Sequence, residues 1–132
     1  MNEFRLDLTV RDYECDLQGI VNNATYLNYL EHTRHEFLKS LGIDFAGMHQ
    51  QGIDLVVVRS EVDYKYSLTS GDSFYVTLKM ALEGRIRIVF YQDIFRLPDN
   101  KPIIKGKITG TALSSQGRPF LPDEIKEILL KI

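Results

Sequence analysis

From Leu55 to Ser114 the sequence alternates apolar and polar residues in four long runs, separated by turns only a few residues long. A period of two puts successive side chains on opposite faces of a strand. Turns this short leave no room for a crossover, so neighbouring strands must pair antiparallel. The first run places Val56, Val58, Val62, Tyr64 and Tyr66 on one face and Arg59, Glu61, Asp63 and Lys65 on the other. Ser70-Gly71-Asp72 is a turn. The second run alternates Phe74, Val76, Leu78, Met80 and Leu82 with polar residues, and Glu83-Gly84 marks a tight hairpin. The third, Arg85 to Leu97, is apolar on both sides: Ile86, Ile88, Phe90 and Ile94 against Val89, Tyr91 and Phe95. A strand covered on both faces implies a second layer, expected to be another subunit, unless a bulge swaps the faces. The fourth run, Ile103 to Ser114, carries Gly106, Gly110 and Ala112 on one face, where a helix backbone can come close.

Ahead of these runs, Phe4 to Arg11 alternates as a half-buried strand. The stretch Glu14–Leu41 is a loop leading into the one long helix. Tyr26, Tyr29, Leu30, Thr33, Phe37 and Leu41 fall on one stripe at spacings of three and four, widened by Leu27 and Leu38. A stripe this wide suits a helix wrapped by a sheet. Gly42 is a plausible stop. A short helix is expected over Ile43–Gln51, capped by Asp44 and ended by Gly52, and another over the last residues from Pro122. The reading is an α+β domain over residues 1–132, a curved five-stranded antiparallel sheet wrapped around one long helix.

At 132 residues the chain favours one domain with a core that needs no staples. Its net charge of −2 gives no reason to expect nucleic acid or an anionic membrane as main partner. The single cysteine, Cys15, excludes an intrachain disulfide framework and fits a reducing compartment. No apolar run approaches membrane-spanning length, and the residues from Met1 to Asp7 do not read as a secretory signal. A cytoplasmic protein is expected.

The chemistry-bearing residues cluster before the long helix. Asp16 precedes Gly19, Asn22 and Asn23, and either asparagine can cap the helix. A helix start exposes unpaired N–H groups and a partial positive charge, which can polarise a carbonyl oxygen. A carboxylate beside such a site is a minimal apparatus for attack on an acyl group. A solvated loop with a capping asparagine is the plainer reading of the same residues. Cys15 has no histidine near it in sequence and reads as a small packed thiol. No Gly-x-Ser-x-Gly elbow exists. His32 and His35 lack metal-site spacing and are expected on a solvated face, and Arg34 is expected to pair with a nearby acid.

The run Asp16-Leu17-Gln18-Gly19-Ile20-Val21, followed by Asn22-Asn23-Ala24-Thr25-Tyr26-Leu27 and then Arg34, resembles the D-x-x-G-[IV]-V-x-x-x-x-Y pattern of the 4-hydroxybenzoyl-CoA thioesterase-like acyl-CoA thioesterases. Val10-Arg11-Asp12-Tyr13-Glu14 and Arg34-His35-Glu36-Phe37-Leu38 bring it closer to a plant and bacterial acyl-lipid thioesterase branch. The likeness implies the hotdog fold, thioester hydrolysis, and Asp16 as the catalytic carboxylate, nucleophile or base. It implies an oxyanion donor near the Asn23 N–H and a substrate surface that includes Gly19, Val21, Asn22, Tyr26, Arg59 and Ser60. It further implies acyl-CoA or acyl carrier protein as substrate, no metal or other cofactor, and a homodimer or homotetramer with shared sites. Many relatives carry His or Tyr where this chain has Asn22 and Asn23, so no side-chain role transfers at those positions. A hotdog hydratase or dehydratase, or a non-catalytic acyl-thioester binder, is the competing expectation. Hydratase chemistry uses a histidine with an acid, and none accompanies Asp16 in sequence.

Overall fold

The computed structural model describes residues 3–132; Met1 and Asn2, part of the stretch read as lacking a secretory signal, lie outside them. Strand β1 (Phe4–Thr9) leads through a 3-10 turn (Asp12–Glu14) to helix α1 (Asn23–Ser40) and short helix α2 (Phe45–Gln50). Four long strands follow: β2 (Asp54–Tyr64), β3 (Ser73–Glu83), β4 (Arg87–Arg96) and β5 (Lys101–Leu113). A two-residue strand β6 (Pro119–Phe120) and helix α3 (Asp123–Lys131) close the chain. The sheet order is β1-β3-β4-β5-β2 with every pairing antiparallel, and β6 adds to β5. This is the expected curved sheet around one helix, with β6 as a sixth, very short strand.

Alternation sets the inner face. Phe74, Val76, Leu78 and Met80 of β3 and Ile88, Phe90 and Ile94 of β4 are buried against α1, as are Ile104 and Ile108 of β5. From α1 come Tyr26, Tyr29, Leu30, Thr33, Phe37 and Leu38. Over Gly106 the helix comes near through the Leu30 side chain. A Cβ there would lie 3.4 Å from the Leu30 side chain and 3.0 Å from the Gln92 carbonyl oxygen. Leu27 and Leu41, expected on the buried stripe, are 38% and 42% exposed, and Leu41 is the C-cap rather than a helical residue. Asp44 caps α2 as expected, accepting from the Gly47 N–H at 3.0 Å.

Strand β2 departs from simple alternation. Its pairing with β5 slips between Val57 and Arg59, leaving Val58 as a bulged residue. Leu55 and Val57 therefore share the inner face with Ser60, Val62 and Tyr64, while Val56 and Val58 do not lie with Val62 and Tyr64 as the alternation had suggested. Gly110 makes room for the bulge: a Cβ there would meet the Val56 carbonyl oxygen at 2.9 Å. On the outer face of β4, Val89 is buried within the chain itself, Phe95 stacks on Tyr75 with ring centroids 5.3 Å apart, and Tyr91 is 48% exposed.

Candidate active site

Asp16 opens a tight turn. Its N–H donates to the Ile20 carbonyl (2.9 Å), and the Gly19 N–H donates to the Asp16 carbonyl (3.0 Å). Gly19 has φ +81°, a left-handed value that costs glycine nothing. One carboxylate oxygen of Asp16 accepts from the Gln18 N–H at 2.8 Å; the side chain is exposed. Isolated bridges join Cys15 to Val21 and Ile20 to Thr69, and the Val21 N–H donates to the Leu68 carbonyl (2.9 Å). The loop is thus fastened to the β2–β3 connection.

Asn22, not Asn23, is the N-cap: its side-chain oxygen accepts from the Ala24 N–H at 3.0 Å. The Asn22 carbonyl takes the Thr25 N–H (2.9 Å). The Asn23 N–H, the first of the helix, is left without a protein acceptor among the described residues. An open donor at the positive end of an 18-residue helix is where a developing oxyanion is stabilised.

Glu14 and two tyrosines hold this arrangement in place. The Glu14 carboxylate accepts from the Tyr29 hydroxyl (2.8 Å), the Arg11 N–H (2.8 Å) and the Arg11 guanidinium (3.1 Å). Its side chain is only 9% exposed, so the carboxylate is held within the loop and not solvated. Burial pushes its pKa up, but the three hydrogen bonds outweigh burial and hold it below the ordinary value. Burial and the bond to Glu14 raise the Tyr29 hydroxyl, which stays a donor. Tyr26 is 2% exposed, and its hydroxyl accepts from the Leu68 N–H at 2.9 Å.

A cavity of about 730 Å³ opens between α1, α2, α3 and the inner face of the sheet. Apolar side chains make most of its wall, among them Leu38, Met48, Met80, Phe90, Ile108 and Ile125. Polar residues also line it: Glu31, Arg34, His35, His49, Asp54 and Ser60. Its size suits an acyl group.

Of the residues singled out in sequence, Asp16 and Gly19 form a turn whose two arms pair through Cys15–Val21 and through the Asn22 N–H to the Glu14 carbonyl, leading directly into the helix start at Asn22 and Asn23. Val21 and Tyr26 are buried at 1% and 2% exposure and brace that corner from beneath. Ser60 lines the cavity. Arg59 lies on the opposite face of β2, exposed and 3.3 Å from Glu61. Neither Asp16 nor Asn23 lines the cavity of its own chain.

Three features escaped the sequence reading. His35 is exposed, as expected of a solvated face, but it also lines the cavity and lies against Phe45, ring centroids 5.2 Å apart. His49 pairs with Asp54 at 2.7 Å. Among the described residues Arg34 pairs with no acid; it donates to the Gln92 side-chain oxygen at 3.0 Å. Gln92 was visible as one polar residue in an apolar row, Ile88-x-Phe90-x-Gln92-x-Ile94.

The family described as the thioesterase-like superfamily matches residues 10–129. An acyl-acyl carrier protein thioesterase of Arabidopsis thaliana chloroplasts is 39% identical over 128 residues, 96% of this chain and 67% of that protein. The chain therefore spans about two thirds of that plant protein's length. A long-chain acyl-CoA thioesterase of Escherichia coli is 30% identical over 125 residues, 92% of this chain and 93% of the other. In structure, a 1,4-dihydroxy-2-naphthoyl-CoA thioesterase from Synechocystis superposes with a TM-score of 0.90 at 16% identity, covering 99% of this chain and 98% of that one. At that identity the likeness shows the fold, which is the hotdog fold.

Proposed function

Because the chain belongs to the thioesterase-like superfamily, we propose that it hydrolyses an acyl thioester, carried on coenzyme A or on acyl carrier protein, to free acid and thiol. The observation that carries the reading is the helix start, where the cap leaves the Asn23 N–H open beside a turn that presents Asp16. The thioester carbonyl oxygen takes the Asn23 N–H as donor. Asp16 then attacks the carbonyl carbon, or takes a proton from the water that does. The tetrahedral intermediate collapses by breaking the C–S bond, and the thiolate leaves and is protonated. In the nucleophilic route water hydrolyses the resulting anhydride; a single turnover in ¹⁸O water labels Asp16 only in that route. No metal or other cofactor takes part in the proposed reaction, and coenzyme A enters only as part of the substrate.

The proposal includes a homo-oligomer, with a dimer as its smallest unit. Asp16 and the cavity do not meet within one chain. Beside the cavity, β2 is an open sheet edge carrying Val57 and Val58 at 49% and 47% exposure, next to Leu27 at 38%. An exposed apolar edge of this kind is a template for pairing with another chain. Two copies meeting there would place each acid loop nearer the other's cavity. Among the described residues no helix is long and apolar enough to cross a membrane. With Cys15 free, the reading includes a reducing compartment, the cytoplasm.

One observation favours a hydratase: His49 Nδ1 lies 2.7 Å from Asp54 at the cavity. Both side chains are more than half exposed, at 77% and 53%, and they lie away from the helix start, which favours hydrolysis. Thiol release from a panel of acyl-CoA and acyl carrier protein thioesters tests the reading. Loss of an enoyl-thioester chromophore without thiol release would replace hydrolysis with hydration. Tight binding with neither change would leave a binding protein.

A further inference from the structure

Arg34 stands on the fourth turn of α1, half-buried, in the wall of an otherwise mostly apolar cavity. Among the described residues no carboxylate lies within ion-pair distance of it. Glu31, one turn earlier, is more than half exposed and faces His35 at 3.8 Å. Among the described residues the guanidinium donates one hydrogen bond, to the Gln92 side-chain oxygen. Gln92 is fully buried, and both ends of its amide are used: the oxygen takes Arg34, and the nitrogen donates to the Leu30 carbonyl at 2.9 Å. The guanidinium also stands 5.9 Å from the Phe90 ring centroid, and Phe90 shares the cavity wall.

The guanidinium donors without a protein partner are still open to solvent in the fold, and covering a cation without giving it a partner is costly. Clamping the helix to the sheet does not require the charge, since Gln92 reaches the Leu30 carbonyl by itself. A guanidinium has five N–H donors, and one of them is occupied by Gln92. Burial lowers the Arg34 pKa, an effect Glu31 partly opposes, and arginine still remains charged at neutral pH. The cavity wall therefore presents, among mostly apolar side chains and with the carboxylates of Glu31 and Asp54 also in the lining, a guanidinium with donors to spare. A saturated acyl chain lying there would cover those donors and leave them unpaired, which costs more than the lost contact alone.

We propose that Arg34, oriented by Gln92, selects acyl groups that carry an oxygen acceptor along the chain, a hydroxyl, an oxo group or a terminal carboxylate, over saturated chains of the same length. The identity of the ligand rests on the thioesterase reading above. Arg34 is here a specificity residue and takes no part in bond cleavage.

The test uses wild type first. Acyl-CoA thioesters of equal carbon number are compared: unsubstituted, hydroxylated or oxo-substituted at successive carbons, and the half-thioester of the dicarboxylic acid. The expected result is a kcat/KM about 10–100-fold higher for the best oxygenated chain, peaking at one position. A peak for hydroxyl or oxo chains identifies a neutral acceptor, and one for the terminal carboxylate an anion. Arg34→Met should lower kcat/KM for the best oxygenated chain about 10–100-fold more than for the saturated chain, erasing the preference, and Arg34→Lys should restore part of it. A wild type that treats saturated and oxygenated chains alike, or an Arg34→Met that lowers both by the same factor, overturns the inference while leaving the thioesterase reading intact. Should no thioester release thiol, the thioesterase reading falls. Calorimetric binding of the same acyl-CoAs to wild type then decides the Arg34 inference separately, with equal affinities refuting it.

Discussion

Tyr29→Phe removes one hydroxyl and keeps the ring. The ring contacts, to Phe74 at 4.7 Å and Tyr26 at 6.1 Å between centroids, should therefore survive. What is lost is the 2.8 Å bond to the Glu14 carboxylate. A hydrogen bond to a charged group contributes about 1.5–3 kcal/mol. Glu14 keeps its two bonds from Arg11, so the expected cost is at the lower end, about 1–2 kcal/mol, or about 4–8 °C in Tm. The cost should depend on pH in a defined direction. Glu14 is held below its ordinary value of 4.5, so the folded state favours the ionised form. Its stabilisation is complete above that value and fades as pH falls through the lower folded one. The Tyr29→Phe penalty should shrink over the same window, because a protonated Glu14 receives only a neutral hydrogen bond. Urea titrations at pH 7 and pH 3, at fixed protein concentration, measure this directly. A cycle with Glu14→Gln should show coupling of about 1 kcal/mol at neutral pH. A penalty below about 0.3 kcal/mol at pH 7, or one of equal size at both pH values, would refute the placement of this bond as the anchor of the acid loop.

Asp16→Asn can keep the Gln18 N–H bond, so stability should hold while kcat falls about 10²–10⁴-fold with KM little changed; steady-state thiol release measures both. Cys15→Ser is the control and should retain most activity; the opposite outcome for the pair would make the thiol the nucleophile. Phe37→Ala should cost about 3–4 kcal/mol in urea unfolding, because Phe37 is 6% exposed and packs on Phe4 at 5.4 Å. His32→Ala should shift stability by about 0.5 kcal/mol or less, whereas His35→Ala should cost about 0.5–1 kcal/mol through its contact with Phe45; equal effects would contradict that contact.

The parts of the fold that depend on local chemistry could be read in the sequence. Asp44 announced the start of α2, the asparagine pair announced α1, and alternation assigned β3 fully. Gly106 and Gly110 marked close approaches, but of neighbouring strand carbonyls, Gln92 and Val56, rather than of the helix backbone that was expected; from the helix the Leu30 side chain comes near Gly106. The bulge at Val58 was not legible, because Val56, Val57 and Val58 are interchangeable in polarity and hide a change of face. Strand β6 is two residues long and carries no period. At the site, the cap and the acid were local and visible. The supporting contacts were not: Tyr29 reaches Glu14 across 15 positions, Tyr26 meets Leu68 across 42, and Arg34 finds Gln92 across 58. A charged residue on a helix suggests a nearby acid, and here the partner is a neutral amide on a distant strand. The cavity depends on how α2 and α3 fold over the sheet, which no motif encodes.

The order of strands in the sheet also dictates an order of events as the chain emerges and folds. Strands β3, β4 and β5 are joined by short connections and can pair as soon as each is complete. The two outer strands cannot. Phe4 must wait for Leu78, and Asp54 must find Leu113. When helix α1 leaves the ribosome, β1 is the one strand of the sheet it rests on that has been made. Its tyrosines, Leu30 and Phe37 stay unburied until the meander behind it has formed. Closing such long loops is entropically slow, so folding should run in the range of milliseconds to seconds rather than microseconds. Over that interval the apolar side of α1 and the unpaired edge of β3 are the surfaces on which a half-made chain would stick to its neighbours.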